Sequence, residues 1–134
     1  MNSKFDSLVS SIRIGRRRPD DEEHRIQCAC VNYFGWKYPK YRGRLFAVPN
    51  GGRRDKTTGA KLKEEGVVAG VSDLIFLKRT KRYGALLIEM KKPGGRQSEG
   101  QKAWQKIVSD EYKYVVCYSL DDFAEAINNY LKGV

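Results

Sequence analysis

The sequence predicts one α/β domain with the element order α-β-β-β-α-β-α. Stretches with apolar residues at helical spacing alternate along the chain with short runs rich in Leu, Ile and Val. The length of 134 residues and a hydrophobic content of 40% suit a single compact core. No apolar run approaches the roughly 20 residues that span a bilayer, so no membrane partner is expected.

The first part of the chain contains a basic arm and the first helix. Residues 1–18 carry a run of arginines and are predicted to form a basic N-terminal arm, with the folded domain over 19–134. A helix is predicted from about 20 to 34, because acidic residues crowd its first turn, where the helix dipole favours anions. Ile26 and Cys30 follow at helical spacing and predict its inward face.

Three short apolar runs predict the next strands. The first covers 45–48 and stops at Pro49, which is followed by turn residues. The other two cover 73–77 and 85–90. Because the polar segment 78–84 between them ends in glycine, they are predicted to form a hairpin.

The last third predicts a helix, a strand and a second helix. Ser98 and Gln101 match a capping box, so a helix should begin there. The run 113–118 is rich in Tyr and Val and predicts a strand. Ser119 can cap the last helix, and Gly133 should end it.

The charge pattern predicts a polyanionic partner. The net charge is +10, and the basic stretches 36–65 and 78–106 flank a segment, 66–77, whose only charged residue is Asp73. Such a field attracts nucleic acid through counterion release. A basic adaptor for an acidic protein is the alternative that this charge leaves open.

Several classes of protein are excluded or disfavoured by composition. Three cysteines and one histidine make a disulfide scaffold or a zinc finger a poor match. The pattern G-x-x-x-x-G-K-[ST] is absent, so no nucleotide cofactor is expected. No hydrophobic stretch follows the basic N-terminus as a secretory signal requires, and we therefore expect an intracellular protein.

Two carboxylates and a lysine form the most informative pattern. Alternation along a strand puts Glu89 and Lys91 on one face. If the hairpin pairs symmetrically about its loop, Asp73 lies opposite Glu89. Because facing like charges destabilise a sheet, a divalent metal is the expected neutraliser. The alternative is an ordinary strand-start residue and an exposed ion pair of small worth.

Four segments together resemble the virus-type replication-repair nuclease (VRR-NUC) domain, a branch of the restriction-endonuclease-like PD-(D/E)xK superfamily. The segments are PNGGR at 49–53, GVVAGVSDL at 66–74, IEMKKPGG at 88–95 and SEGQKAW at 98–104. The similarity covers about 20–131. Ser72 departs from the pattern, since the superfamily usually has proline there, but the position belongs to a turn.

The resemblance implies a restriction-endonuclease-like core, with a central mixed β-sheet flanked by helices. It also implies a DNA endonuclease of viral or phage type that uses Mg²⁺ or Mn²⁺, acts on branched or junction DNA and works in the cytoplasm of a bacterial host. A junction substrate needs two nicks, which favours a homodimer. A non-catalytic nucleic-acid-binding module remains the alternative.

Specific roles follow from matching positions. The resemblance implies that Asp73 and Glu89 are metal ligands and that Lys91 is the catalytic lysine. A glutamate from the first helix is matched by Glu23, with Glu22 as the alternative. Gln101 matches a glutamine of the family, and its capping role is an equal alternative.

Basic and polar side chains outside this cluster are candidates for DNA contacts. The segment 50–54 could cradle a phosphate with glycine-exposed amides and two guanidiniums, or form a plain turn. Trp36, Tyr38 and Tyr41 could stack on unpaired bases or anchor a loop. The candidate phosphate contacts are Asn50, Arg53, Arg54, Lys61, Lys63, Lys92, Arg96 and Lys102.

Overall fold

Helices and strands alternate along the chain in a computed structural model that describes residues 21–49 and 56–134. The elements in chain order are α1 (Glu22–Lys37), a 3-10 turn (Pro39–Tyr41), β1 (Leu45–Ala47), α2 (Lys56–Glu64), β2 (Leu74–Phe76), β3 (Leu86–Met90), α3 (Glu99–Val108), β4 (Lys113–Cys117) and α4 (Leu120–Lys132). The α/β class, the mixed sheet and its flanking helices are confirmed.

The four strands form one sheet in the order β1-β2-β3-β4. The first two pairings are antiparallel and the third is parallel, with α3 as the crossover. In the hairpin, Leu74 pairs with Ile88 and Phe76 with Leu86. This is the symmetric register that the sequence predicted, and its continuation brings Asp73 opposite Glu89.

The main core lies on one face of the sheet, between the strands and the packed helices α1 and α4. Alternate residues of the central strand, Leu86, Ile88 and Met90, point into it. Cys30 of α1 and Phe123 of α4 meet them from the helix side. Because Glu89 alternates with these residues, it points to the opposite face, where α3 lies.

The predicted helix boundaries in the last third are confirmed. Ser98 accepts a hydrogen bond from the Gln101 N–H, and the Gln101 side chain accepts one from the Ser98 N–H. This capping box fixes the start of α3. Ser119 caps α4 through the Asp122 N–H, and Gly133 ends it with a φ of 79°.

The structure contains one helix that is absent from the predicted order of elements. α2 stands between β1 and β2, and the sequence pattern did not predict it. Its segment KTTGAKLKE contains two β-branched threonines and a glycine, which lower helix propensity, and too few apolar residues to make a periodic face. The predicted basic arm at 1–18 lies outside the described residues.

In the part of the chain that the structure describes, no helix combines the length and the apolar character that crossing a bilayer requires.

Candidate active site

Asp73 and Glu89 meet at one end of the hairpin formed by β2 and β3. Asp73 comes directly before β2, and its Oδ2 accepts a hydrogen bond of 2.7 Å from the N–H of Met90. Because Met90 is the residue after Glu89, this bond holds the Asp73 carboxylate against the end of β3. The short, symmetric hairpin therefore brings the two acids together.

Glu89 is a buried carboxylate with one free oxygen. Only 1% of the residue is exposed to solvent, and the other residues of its strand are apolar. Oε2 accepts a hydrogen bond of 2.8 Å from Nε2 of Gln101. Oε1 is buried and accepts no hydrogen bond from any described residue. Since a buried acceptor without a partner is costly, this oxygen is suited to a cation or a proton.

The surroundings of Glu89 favour its neutral form when no ion is bound. Burial raises the pKa of Glu89 to about 8, and hydrogen bonding of the protonated acid to Asp73 raises it too. The negative charges of Asp73 and Glu23 act in the same direction, whereas the charge of Lys91 lowers this pKa. The four charged groups therefore share one electrostatic site.

Gln101 makes the predicted capping contact and also contacts Glu89. Its Oε1 accepts the Ser98 N–H at 2.8 Å within the capping box, and its Nε2 donates to Glu89. Because the cap requires the amide oxygen to face Ser98, the amide nitrogen must face the carboxylate. One side chain thus begins α3 and binds the buried acid.

Lys91 and Glu23 both act electrostatically on Glu89, with opposite signs. The N–H of Lys91 donates to the Cys117 carbonyl at 3.0 Å, which extends the pairing of β3 with β4 to this residue. Of the two glutamates on α1 that the sequence proposed, Glu23 and not Glu22 contributes to the pKa of Glu89. Within 21–49 and 56–134, no three Asp, Glu, His or Cys side chains form a group that could hold a metal ion.

A divalent ion fits the pair of Asp73 and Glu89. Mg²⁺ is commonly held by one or two carboxylates, with water and substrate phosphate filling its other positions. The donor set here is all oxygen, and Oε1 of Glu89 lacks a partner. This chemistry suits a hard cation, and it does not require Glu23 as a third ligand.

The sequence pattern did not predict Tyr114, which lies near Glu89, or the two glutamines linked to it by a chain of hydrogen bonds. Gln97 donates through Nε2 to Oε1 of Gln105 at 3.0 Å and to the Tyr114 hydroxyl at 3.2 Å. Burial raises the pKa of Tyr114 to about 12, the Gln97 hydrogen bond lowers it, and the charges of Glu89 and Asp73 raise it. Only the pairing of β4 with β3 brings Tyr114 here, and no local motif signals that pairing.

Five of the eight candidate phosphate contacts lie on the exposed surface, and the other three lie outside the described residues. Lys61, Lys63, Lys92 and Arg96 are exposed. Lys102 is exposed as well, with its ammonium 3.7 Å from Glu99 one helical turn away. Asn50, Arg53 and Arg54 fall in the segment that the structure does not describe.

Tyr38 and Tyr41, two of the candidate base-stacking residues, are anchored to the core. Tyr38 packs on Phe34 with ring centroids 5.4 Å apart, and Tyr41 packs edge-on against Phe76 at 5.6 Å. This favours the anchoring interpretation for both tyrosines. Trp36 is partly exposed, with its ring 6.3 Å from that of Tyr33.

Two of the three cysteines are inert in this fold. Burial raises the pKa of Cys30 and of Cys117 to about 12, so both remain thiols at neutral pH. Cys28 lies 3.5 Å from Nε2 of His24 on the exposed side of α1. The histidine therefore interacts along its own helix.

Comparisons with known proteins agree with this geometry. A family model described as VRR-NUC domain matches residues 21–121. A solved structure named "VRR_NUC domain protein" is 26% identical, with a TM-score of 0.71 over 83% of this chain and 88% of its own. No curated protein sequence matches. The family match covers most of the chain, and the chain therefore belongs to the VRR-NUC family of nuclease-type domains.

Proposed function

We propose that this chain is a metal-dependent deoxyribonuclease that hydrolyses phosphodiester bonds within DNA strands. The observation that carries the proposal is the pair of Asp73 and Glu89, in which a buried carboxylate oxygen has no donor among the described residues. Membership of a nuclease-type family supports the reaction class. The net charge of +10 supports an anionic polymer as substrate.

Asp73 and Glu89 would hold Mg²⁺ or Mn²⁺, and the carbonyl of Met90 is a further oxygen donor in the same stretch of chain. When bound, such an ion polarises the scissile phosphate and lowers the pKa of water. Gln101 keeps Glu89 oriented by donating to one of its oxygens, which leaves the other oxygen for the ion.

Lys91 is the proposed catalytic lysine. It follows Glu89 on the same strand face, and its charge acts on that carboxylate. An ammonium at this position can orient or deprotonate the attacking water, or stabilise the negative charge that develops on the phosphate. Glu23 adds negative charge beside the pair and is the proposed helix-borne acid of the site.

The test compares two isosteric changes that each replace a carboxyl group by an amide. Glu89→Gln alters the buried acid, whereas Glu99→Gln alters an exposed acid on α3. With labelled DNA and Mg²⁺ or Mn²⁺, Glu89→Gln should lower cleavage by about a hundredfold or more, and Glu99→Gln should leave it near the wild-type rate. Chelation of the metal should stop wild-type cleavage.

The same proteins separate catalysis from simple binding. We expect Glu89→Gln to bind DNA about as well as the wild type does in the presence of a chelator. Cleavage at the wild-type rate by purified Glu89→Gln would remove this residue from the mechanism. Binding by the wild type without any cleavage in either metal would instead favour the non-catalytic nucleic-acid-binding module.

The DNA structure that is cut is a further part of the proposal. On the strength of the family, we propose branched or junction DNA as the preferred substrate and a two-fold dimer as the active form, because a junction needs two nicks. Linear, flap and four-way-junction substrates should be compared in one assay, with sedimentation to give the oligomeric state. Equal rates on all three substrates would contradict the preference.

A further inference from the structure

A cavity of about 900 Å³ opens at the end of the sheet remote from the candidate active site. Its walls are the loop between β2 and β3, the end of α1, the start of β4 and the end of α4. The two carboxylates lie at the opposite end of the same hairpin. Lys78 is five positions along the chain from Asp73, which at about 3.3 Å per residue puts the near edge of the cavity about 16 Å from Asp73 along the strand direction.

The lining of this cavity is strongly cationic. Eight of its sixteen lining residues are Lys or Arg, and none is Asp or Glu. Among the described residues the one ion pair joins Lys102 to Glu99, neither of which lines the cavity. Because closely gathered cations repel one another, an anionic ligand would be bound favourably here.

Tyrosine rings hold several of these cations in position. The guanidinium of Arg82 lies 5.1 Å from the centroid of Tyr83, and the ammonium of Lys113 lies 5.8 Å from the same ring. Lys40 lies 5.1 Å from the centroid of Tyr41. Since these cation-π contacts exist without a ligand, less ordering is needed when one binds.

Hydrogen bonds also fix the loop that carries the cations. The hydroxyl of Tyr130 donates to the Lys78 carbonyl at 2.6 Å, which ties the loop to α4. Within the loop, the N–H of Thr80 donates to the Tyr83 carbonyl at 2.9 Å, and the N–H of Tyr83 donates to the Thr80 hydroxyl at 3.0 Å. The lysines and arginines of this loop therefore project from a turn that is held by hydrogen bonds.

We propose that this cavity binds a single-stranded segment of nucleic acid through its backbone phosphates, as a second site separate from the catalytic carboxylates. The choice of nucleic acid rests on the proposed function. A phosphodiester chain brings one negative charge per nucleotide and can neutralise several cations in turn. A basic groove interleaved with aromatic rings is the usual form of a single-strand site.

Other ligands fit the lining less well. Pockets for small organic molecules have similar volumes but are lined mainly by hydrophobic side chains, whereas half of this lining is basic. A single phosphate would leave most of the eight cations without a partner. The cavity is also too small to enclose a double helix, so a single strand is the form of nucleic acid that it admits.

The test uses two exposed lysines that differ in their relation to the cavity. Lys81 lines it, whereas Lys106 lies on α3 and does not. Lys81→Glu and Lys106→Glu change the net charge equally. With a labelled single-stranded DNA in the presence of a chelator, anisotropy should show weaker binding by Lys81→Glu. The slope of log Kd against log salt should fall by about 0.7 or more, the value of one phosphate contact.

Lys106→Glu should bind like the wild type, and Lys81→Ala should lie between the wild type and Lys81→Glu. Equal losses in the two charge reversals would overturn the proposal, because they would reflect net charge alone. Displacement of the DNA by tripolyphosphate at matched phosphate concentration would overturn it in favour of a small-anion site. Equal displacement by polyglutamate would assign the cavity to acidic protein.

Cleavage assays on the same proteins keep the two proposals apart. If the wild type binds in the expected pattern but cuts no DNA with either metal, the nuclease proposal fails and the cavity proposal stands. If the wild type cuts DNA and Lys81→Glu binds it as tightly as Lys106→Glu, the cavity proposal alone fails.

Discussion

Glu89 is the residue at which folding and the proposed chemistry oppose each other. In the metal-free protein its pKa is raised to about 8 by burial and by Asp73, while in the unfolded chain it is near 4.5. Between these values the folded protein holds a proton that the unfolded chain has lost. The stabilisation from this group is therefore complete below about pH 4.5 and is lost as the pH rises through about 8.

This pH dependence can be measured by thermal melting in a chelator. The Tm of the wild type should fall between pH 5.5 and pH 8.5, and Glu89→Gln should flatten that fall because it cannot ionise. Adding Mg²⁺ or Mn²⁺ at the higher pH should raise the Tm of the wild type but not that of Glu89→Gln. Identical pH profiles for the two proteins would show that Glu89 is not the responsible group.

Gln101 allows its two roles to be measured separately. Ser98→Ala removes only the cap and should cost about 1 kcal/mol of stability with little loss of activity. Gln101→Ala removes the cap partner and also the donor to Glu89, which leaves a buried carboxyl oxygen without a partner at a cost of about 1–3 kcal/mol. We expect Gln101→Ala to be the less stable protein and to lose much more activity. Equal activity in the two variants would contradict the positioning role.

The sequence predicted the residues whose neighbours lie nearby in the chain. Asp73 and Glu89 were placed opposite each other because a short hairpin with a symmetric register needs only local counting. Tyr114 was missed, because the parallel pairing of β3 with β4 across a helix brings it close to Glu89, and Gln97 was missed because its partner is Tyr114. Nothing in their own sequence neighbourhood indicates that pairing.

At the scale of elements, the start of α3 is positioned by a close approach of two backbones. Gly70 has a φ of 88°, and a Cβ at that position would overlap the carbonyl of Gly100 and lie 3.0 Å from the N–H nitrogen of Gln101. Only glycine fits this crossing. The loop before Asp73 is thereby packed against the helix end that carries Gln101.

Two glycine substitutions test this packing. Gly70→Ala should destabilise the protein by about 1–3 kcal/mol or more, because the new Cβ clashes with Gly100 and alanine must adopt an unfavourable positive φ. Gly100→Ala should be neutral or stabilising by up to about 1 kcal/mol, since the nearest atom to its new Cβ is the Ser98 hydroxyl at 3.9 Å. Chemical denaturation measures both, and equal effects would contradict the proposed crossing.

Element boundaries were predictable where a cap or a turn marks them. Ser98, Ser119 and Gly133 mark helix ends through side-chain or backbone chemistry that local sequence encodes. α2 has no described cap of this kind and no apolar stripe, so its sequence resembled a polar loop. Its helical state therefore depends on context that the local pattern does not carry.

At the scale of the whole molecule, the proposed cation site and the proposed anion site lie at opposite ends of the hairpin formed by β2 and β3. With about 16 Å from Asp73 to the near edge of the cavity and about 3.4 Å per nucleotide of stacked strand, about five nucleotides would reach from one to the other. We expect KM for single-stranded DNA to fall as the strand is lengthened past this size. Shorter strands should be cut with a higher KM.

Lys81→Glu should weaken that dependence on length and leave cleavage of the shortest strands unchanged. Lys106→Glu supplies the matched control, because it adds the same charge away from the cavity. A series of strands of increasing length, assayed at constant salt, gives the comparison. The same step in KM for wild type and Lys81→Glu would contradict a second site.

The shared amide of Gln101 has a consequence for how this protein loses function. A helix end opens with far less free energy than the whole domain, and fraying of the first turn of α3 would pull the donor away from Glu89. Warming should therefore abolish cleavage at a temperature some degrees below the Tm of the domain. On cooling, re-formation of this one helical turn would be enough to restore cleavage.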